Sequence, residues 1–311
     1  MIVAKDLIKE LDKNKVIEGI SFRIPRNECT GIIGLNGAGK TTIINMLTGL
    51  LLPDSGLVRV NGINPYKNRN ENLKQIGCVN GLKTQLWQDM LLKYSFENSR
   101  RMYNISDKVY EKNMKMLKET LELDKLMNTT VSELSLGERI RADFAYAILH
   151  SPEVLYLDEP TIGLDVVVKA KVLNLLKEIN KEKKTTVVYT SHNLNEIEML
   201  CKRVIIIDKG KKLFEGDIEK LKKEYSPKYI LELRIEGRNL PDLQDLPIYK
   251  YVMDGEKLLV YYDKKSINTS TLLTHILKQC NVKQIQIHEP ALEDIIKKIY
   301  EMREQKAEIE N

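Results

Sequence analysis

One stretch constrains this chain more than any other: Gly34-Leu35-Asn36-Gly37-Ala38-Gly39-Lys40-Thr41-Thr42. It follows the apolar run Thr30-Gly31-Ile32-Ile33 and precedes Ile43-Ile44-Asn45-Met46-Leu47, so it reads as strand, glycine-rich turn, helix. The spacing G-x-x-x-x-G-K-[ST] is that of a phosphate-binding loop. Its glycines let the backbone wrap closely around phosphate oxygens. The loop amides and the helix N-terminus then turn partial positive charge toward the anion. Lys40 has the reach for β- and γ-phosphates, and the Thr41 hydroxyl suits a magnesium ion. Residues 34–42 thus imply a nucleoside triphosphate, without saying what it is used for.

The rest of the chain alternates strand and helix around that turn. Residues 1–27 alternate polar and apolar side chains, as in Val16-Ile17-Glu18-Gly19-Ile20-Ser21-Phe22-Arg23-Ile24, which predicts antiparallel strands. Asn61-Gly62 is a hairpin-type turn after the strand Leu57-Val58-Arg59-Val60. Another strand covers 75–80. From 89 to 131 glycine and proline disappear, and Met114, Leu117 and Leu121 recur at helical spacing. This predicts a helical insertion over about 86–135, with Met90, Phe96, Met102 and Tyr103 as its own core or as partner-facing residues. Short apolar strands then alternate with helices at 166–183 and 193–201, and a hairpin turns around Gly210. The expected fold is α/β with a parallel sheet, an antiparallel β subdomain and a helical insertion. A boundary near Tyr225-Ser226-Pro227 separates residues 1–225 from a small α+β unit, 226–311.

Composition excludes several classes. The 311 residues suffice for two domains, and 42% apolar with 30% charged residues is a soluble, globular balance. No apolar run approaches the ~18 residues of a membrane-spanning helix. Charges interrupt Met1-Ile2-Val3-Ala4-Lys5-Asp6 at once, unlike a signal peptide. A net charge of +5 without a basic block gives no reason to expect nucleic acid. Cys29, Cys78, Cys201 and Cys280 lack metal-ligand spacing and fit reduced cytosolic thiols.

A second motif supplies the chemistry. Val154-Leu155-Tyr156-Leu157 ends in Asp158-Glu159-Pro160, which sets two carboxylates at a strand end near the triphosphate. Asp158 suits magnesium, directly or through water, and Glu159 suits a general base on the attacking water. Leu134-Ser135-Leu136-Gly137-Glu138 opens a helix. Two readings stay open there: an anion-binding terminus at Ser135 and Gly137, and a capping box of Ser135 with Glu138.

The order of motifs (phosphate loop, helical insertion, Leu-Ser-x-Gly-Glu, Asp-Glu-Pro-Thr, Gly163-Leu164-Asp165, Thr190-Ser191-His192) resembles the ATP-binding subunit of ABC transporters over residues 1 to about 220. The resemblance implies ATP and Mg2+, and a head-to-tail dimer in which Ser135 and Gly137 complete the opposite subunit's site. The pair would be either a homodimer or a heterodimer. Asp165 would communicate across that dimer, or simply cap the next helix. His192 would contact the γ-phosphate. Separate membrane permease subunits would be the partners, with the chain peripheral on the cytoplasmic face of the membrane. Gly81-Leu82-Lys83-Thr84-Gln85-Leu86-Trp87 is similar to ATPases of multi-subunit exporters with small permeases, and Glu289-Pro290-Ala291-Leu292-Glu293-Asp294-Ile295 looks like the accessory domain of drug and antibiotic exporter ATPases.

Four positions depart from the family pattern. Leu11 stands where an aromatic usually stacks on adenine. Leu82 stands where a glutamine is expected, which leaves Gln85 as the nearest candidate to sense magnesium and the attacking water. Leu136 and Glu138 replace a glycine and a glutamine of the signature. A soluble ABC-type ATPase acting on ribosomes or DNA is the alternative. Against it stand the single nucleotide unit and an insertion far too short for a coiled coil.

Overall fold

The structure, a computed structural model, describes residues 1–81, 83–225, 229–236, 240–289 and 291–309, with backbone only for 304–309. Leu82, Ser226-Pro227 and Pro290 therefore lie outside the described residues. The chain begins with β1 (Ile2–Leu11) and β2 (Asn14–Ile24), a hairpin closed at Leu11↔Asn14. Asp12 and Lys13 both have positive φ there, the twist a two-residue hairpin needs. After β3 (Cys29–Ile33) and α1 (Lys40–Thr48), β4 (Ser55–Val60) adds to β1 and completes the antiparallel order β2-β1-β4. The Asn61-Gly62 turn is as expected: both residues have positive φ, and Val60 pairs with Ile63 across it.

Next come α2 (Arg69–Gln75), β5 (Ile76–Asn80), α3 (Leu92–Met102), α4 (Asp107–Leu121), α5 (Leu136–Ile148), β6 (Val154–Asp158), α6 (Val166–Glu182), β7 (Thr186–Thr190), α7 (Leu194–Leu200), β8 (Arg203–Asp208) and β9 (Lys211–Asp217). The main sheet has the order β5-β6-β7-β3-β8-β9, parallel except for β9 at one edge. Its inner strands are largely apolar, as strands covered on both faces are, with their polar residues toward the ends; β6 and β7 are buried at every residue. One core joins both sheets through α1. Ile2, Leu7 and Phe22 of the antiparallel sheet share it with Ile43 and Leu47 of α1 and with Tyr156 and Val188 of the parallel sheet. Each such side chain contributes about 1.5–3 kcal/mol by leaving water, so the phosphate loop is anchored at both ends in this core.

The insertion is helical, α3 and α4 followed by single 3-10 turns at Asp124–Leu126 and Val131–Glu133. Its aromatic and Met residues divide. Phe96 is fully buried and Tyr103 stacks on His150, whereas Met102 is 62% exposed, and Trp87, Met90 and Tyr94 are also exposed.

The chain divides into the units Met1–Asp217 and Ile218–Asn311, one helix earlier than the expected break. The reason is α8 (Ile218–Tyr225): its Ile218 and Leu221 are buried, and it packs on α10 (Leu292–Ile309) of the second unit. That unit is otherwise a four-stranded antiparallel sheet of β10 (Tyr229–Ile235), β11 (Ile248–Asp254), β12 (Lys257–Tyr262) and β13 (Val282–His288), in the order β11-β12-β10-β13. The helix α9 (Thr269–Leu277) shares its core: Leu272 and Ile276 join Leu231, Leu233, Leu258 and Val260.

Candidate functional site

The site begins where β3 gives way to α1. Gly39 caps α1 with φ 106°, and a Cβ there would come 2.6 Å from Ile17 Cδ1. Only glycine fits that backbone and that spacing. The turn directs the following residues into a cavity of about 240 Å³ lined by Val16, Asn36, Gly37, Gly39, Lys40, Thr41, Thr42, Asp158 and Glu159. Lys40 Nζ donates to the carbonyls of Gly34 (2.8 Å) and Leu35 (3.3 Å), and Ala38, buried, donates its N–H to Leu35 O at 3.1 Å. The loop thus holds its one cation at the wall of the cavity, where a phosphate oxygen is the stronger acceptor for it.

The carboxylates arrive from the sheet. Asp158 is the last residue of β6, in register with Thr190 of β7. Its Oδ2 accepts from Thr41 Oγ1 at 2.7 Å and its Oδ1 from Thr190 Oγ1 at 2.6 Å. A hydroxyl and a carboxylate oxygen, both hard donors, therefore converge beside the phosphate loop. That donor set fits the magnesium ion expected there. Glu159, one residue on, has φ 51°, a left-handed conformation that costs a non-glycine residue on the order of 1 kcal/mol. Its N–H is held by the Thr190 carbonyl (3.2 Å) and hydroxyl (3.1 Å). Its Oε2 accepts from His192 Nδ1 at 2.7 Å and from the His192 N–H at 3.3 Å. The kink turns the second carboxylate out of the strand and toward His192.

Behind these residues lies a group the motifs did not single out. Glu196 of α7, 3% exposed, accepts from Thr161 Oγ1 (2.8 Å), Tyr189 OH (2.7 Å) and Ser191 Oγ (3.0 Å), and Lys169 Nζ lies 2.8 Å from its other oxygen. Burial pushes its carboxyl up, but those donors outweigh burial and hold it below the usual range. It ties the segment after Glu159 to the segment carrying His192. Its only sequence signal was a glutamate one helical turn beyond Ser191-His192.

The remaining expected residues lie apart from this cavity. Ser135 caps α5, and both capping-box bonds form: the Glu138 N–H donates to Ser135 Oγ at 3.4 Å and the Ser135 N–H to Glu138 Oε2 at 2.9 Å; Ser135 Oγ also donates to that oxygen at 2.7 Å, and these bonds from Ser135 hold the Glu138 carboxyl below its ordinary range. Ser135 is exposed, and a Cβ on Gly137 would meet nothing closer than 3.7 Å. Asp165 caps α6, accepting from the N–H of Val167 and Val168. Gln85 is exposed; its side-chain amide donates to Cys78 O, and it does not line the cavity. Leu11 is 39% exposed at the hairpin end of β1.

A phosphate loop on β3–α1, beside an Asp-Glu pair at the end of β6, which β7 separates from β3, defines a nucleoside-triphosphatase of the phosphate-loop class. A profile of the family "ABC transporter" matches residues 17–162. The chain is 32% identical to the bacitracin transport ATP-binding protein BcrA of Bacillus licheniformis, covering 96% of this chain and 97% of that protein. It is 29% identical to the linearmycin resistance ATP-binding protein LnrL of Bacillus subtilis (strain 168), over 94% and 96%. The dimeric structure of MJ0796, a bacterial ABC transporter cassette, superposes with a TM-score of 0.64 at 25% identity, over 70% of this chain and 99% of that one. The chain belongs to the ATP-binding subunits of ABC transporters, in the branch that holds exporter ATPases, and it binds and hydrolyses ATP.

Proposed function

We propose that this chain powers a multi-subunit exporter as one of a pair of ATPases, a homodimer or a heterodimer, bound to separate permease subunits at the cytoplasmic face of a membrane. Among the described residues no helix is long and apolar enough to cross a membrane, so the permeases would supply the spanning segments. The observation that carries the reading is the pairing of one assembled half-site with one exposed signature. Lys40, Thr41, Asp158, Glu159 and His192 surround a single cavity or bond directly to its lining, whereas Ser135 and Gly137 lie outside that lining, Ser135 exposed and Gly137 with no atom within 3.7 Å of an added Cβ. No packing within the chain demands a glycine at 137, so its openness fits an approach by a partner's triphosphate.

On this reading residues 34–42 wrap the phosphates and Lys40 exchanges its carbonyl partners for β- and γ-oxygens. Thr41 and Asp158 would hold Mg2+, which supplies charge neutralisation to the phosphates when bound. The Glu159 carboxylate takes the proton of the attacking water, and His192, oriented by its Nδ1 bond to Glu159, stabilises the γ-phosphoryl charge. Ser135 and Gly137 of the second subunit close the other side of the same triphosphate, and Asp165 at the start of α6 would relay that closure. The Gln85 segment at the entry of the helical insertion would pass the motion to a permease. Gln85 would reach magnesium only after leaving Cys78 O.

The test is Glu159→Gln. It removes the charge and keeps the shape, so ATP binding persists while hydrolysis falls about 100- to 10,000-fold and ATP-bound dimer accumulates in light scattering. Hydrolysis at the wild-type rate would defeat the assignment of Glu159. Intact catalytic loss with only monomer in solution would defeat the pairing.

A further inference from the structure

A buried carboxylate outside the nucleotide site grips the loop that carries Gln85. Asp143 sits about two turns into α5 from Ser135 and is 5% exposed. Its Oδ1 accepts from Thr84 Oγ1 at 2.9 Å and from the Gln85 N–H at 3.0 Å. Thr84 Oγ1 in turn accepts from the Leu86 N–H at 3.0 Å, and Leu86 is buried. Two consecutive loop residues thereby bond one oxygen of one helix, and the third, Leu86, is tied to it through Thr84 Oγ1. About one turn further along α5, the helix is seated on β5: a Cβ on Gly77 would come 2.2 Å from the Ala147 carbonyl. The helix therefore has a fixed seat on the sheet, a grip on the loop just before it, and a partly exposed end bearing Ser135 and Gly137 beside Gly163 and Leu164.

We propose that Asp143 is a positioning residue that couples the Gln85–Trp87 segment to the signature end of α5, so that displacement of either displaces the other. The proposal rests on the dimer reading above, since only a partner's triphosphate gives the signature end something to respond to. Among the described residues the hydrogen bonds of Asp143 go to Thr84 and Gln85, with the Arg139 charge nearby, and it does not line the phosphate cavity. Burying a carboxylate is costly unless it is hydrogen-bonded. An aliphatic side chain would leave the Thr84 hydroxyl and the Gln85 N–H without their acceptor, and the loop would move independently of the helix.

Trp87, the single tryptophan of the chain, is 47% exposed two residues beyond Gln85 and reports on this loop. In the full-length protein, a non-hydrolysable ATP analogue with magnesium is expected to shift Trp87 emission as the dimer forms. Asp143→Leu should cut that shift at least threefold while nucleotide affinity, followed separately with a fluorescent ATP analogue, stays within twofold. Asp143→Asn, which keeps the acceptor oxygen, should restore it; a merely structural role for the charge would not be rescued. Thr84→Val, which changes the loop and leaves α5 intact, should lose about half of the shift and covers the case in which Asp143→Leu does not fold. A full shift in both Asp143→Leu and Thr84→Val overturns the proposal. So does an unresponsive Trp87 in wild-type protein that binds the analogue and dimerises. Failure to bind the analogue, or binding without dimerisation, instead defeats the reading on which the proposal rests.

Discussion

The two halves of the nucleotide machinery are built on opposite principles. On the phosphate side the motif side chains are already engaged: Thr41 with Asp158, Asp158 with Thr190 and Glu159 with His192 across elements, and Lys40 with the carbonyls of its own loop. That side is assembled by the register of a buried parallel sheet, so its geometry is fixed before any ligand arrives. On the signature side the bonds of Ser135 stay within the first turns of its own helix, to Glu138 and Arg139, and half-buried Gly137 would take a Cβ with nothing closer than 3.7 Å. A helix terminus needs one cap to be stable and can offer its remaining amides outward. One side is preorganised for charge, while the other stays available to a surface outside the chain.

Mutations should separate the sides, and loss of the Glu159 carboxylate is the largest effect. Lys40→Met comes next. It removes the single cation of the loop, worth about 3 kcal/mol against a phosphate oxygen, or about 100-fold in nucleotide affinity. Isothermal titration with ATP checks it, and an unchanged affinity would mean the loop amides alone hold the phosphates. Gly137→Asp probes the other side. The chain has room for the new side chain, and an acid in the first turn of α5 suits the helix dipole, so melting temperature and single-subunit ATP binding should hold. A negative charge facing a partner's triphosphate should nevertheless lower hydrolysis about tenfold or more. If ATPase activity survives Gly137→Asp, the two sides do not meet across a dimer, and the contrast between them has lost its functional meaning.

The phosphate side was legible in the sequence because its motifs are local: nine consecutive residues make the loop, and Asp158-Glu159 ends an unmistakable buried strand. What stayed hidden depends on register and long-range packing. Thr190 matters because parallel pairing sets it opposite Asp158, and nothing in Thr186-Val187-Val188-Tyr189-Thr190 announces that. Glu196 and Asp143 read as ordinary helix surface until the helices are docked. Helix α2, Arg69-Asn70-Glu71-Asn72-Leu73-Lys74-Gln75, has no apolar period to betray it. The position of Gln85 was expected from its distance along the chain, but its amide is engaged at Cys78. In the second unit the strands were readable from the alternation Leu231, Leu233, Ile235, yet no chemistry was. Its charged side chains pair with one another on the open sheet, Lys257 with Glu232 and Arg234 with Glu256, and solvated pairs of that kind carry little energy or information.

The smallest expected effect sharpens the contrast from within α5. Burial raises the Asp143 carboxyl to about 6, against lowering by its bonds from Gln85 and Thr84 and by Arg139 nearby. At the far end of the same helix burial lowers His150 to about 4, although its ring donates Nε2–H to Ile76 O. A raised carboxyl pKa means that the folded state holds its proton longer than the unfolded chain does. The stability Asp143 contributes is therefore complete below about pH 4 and is lost as pH rises through 6. His150 acts in reverse: its contribution is complete above about 6.5 and is lost as pH falls toward 4. Each shift is worth about 3 kcal/mol at most, and the two oppose each other across the same window, so the wild-type profile alone conceals both. Asp143→Asn isolates one of them. It keeps the acceptor and abolishes the ionisation, but its amide needs an acceptor of its own, which returns about 1–2 kcal/mol. Urea unfolding should find the variant more stable than wild type by about 1 kcal/mol at pH 8. That advantage should shrink steadily below pH 6, and below pH 4 the variant should have lost it. A difference between the two proteins that does not change with pH would mean that Asp143 is solvated as an ordinary surface carboxylate, and that the signature helix carries no buried charge at its grip on the loop.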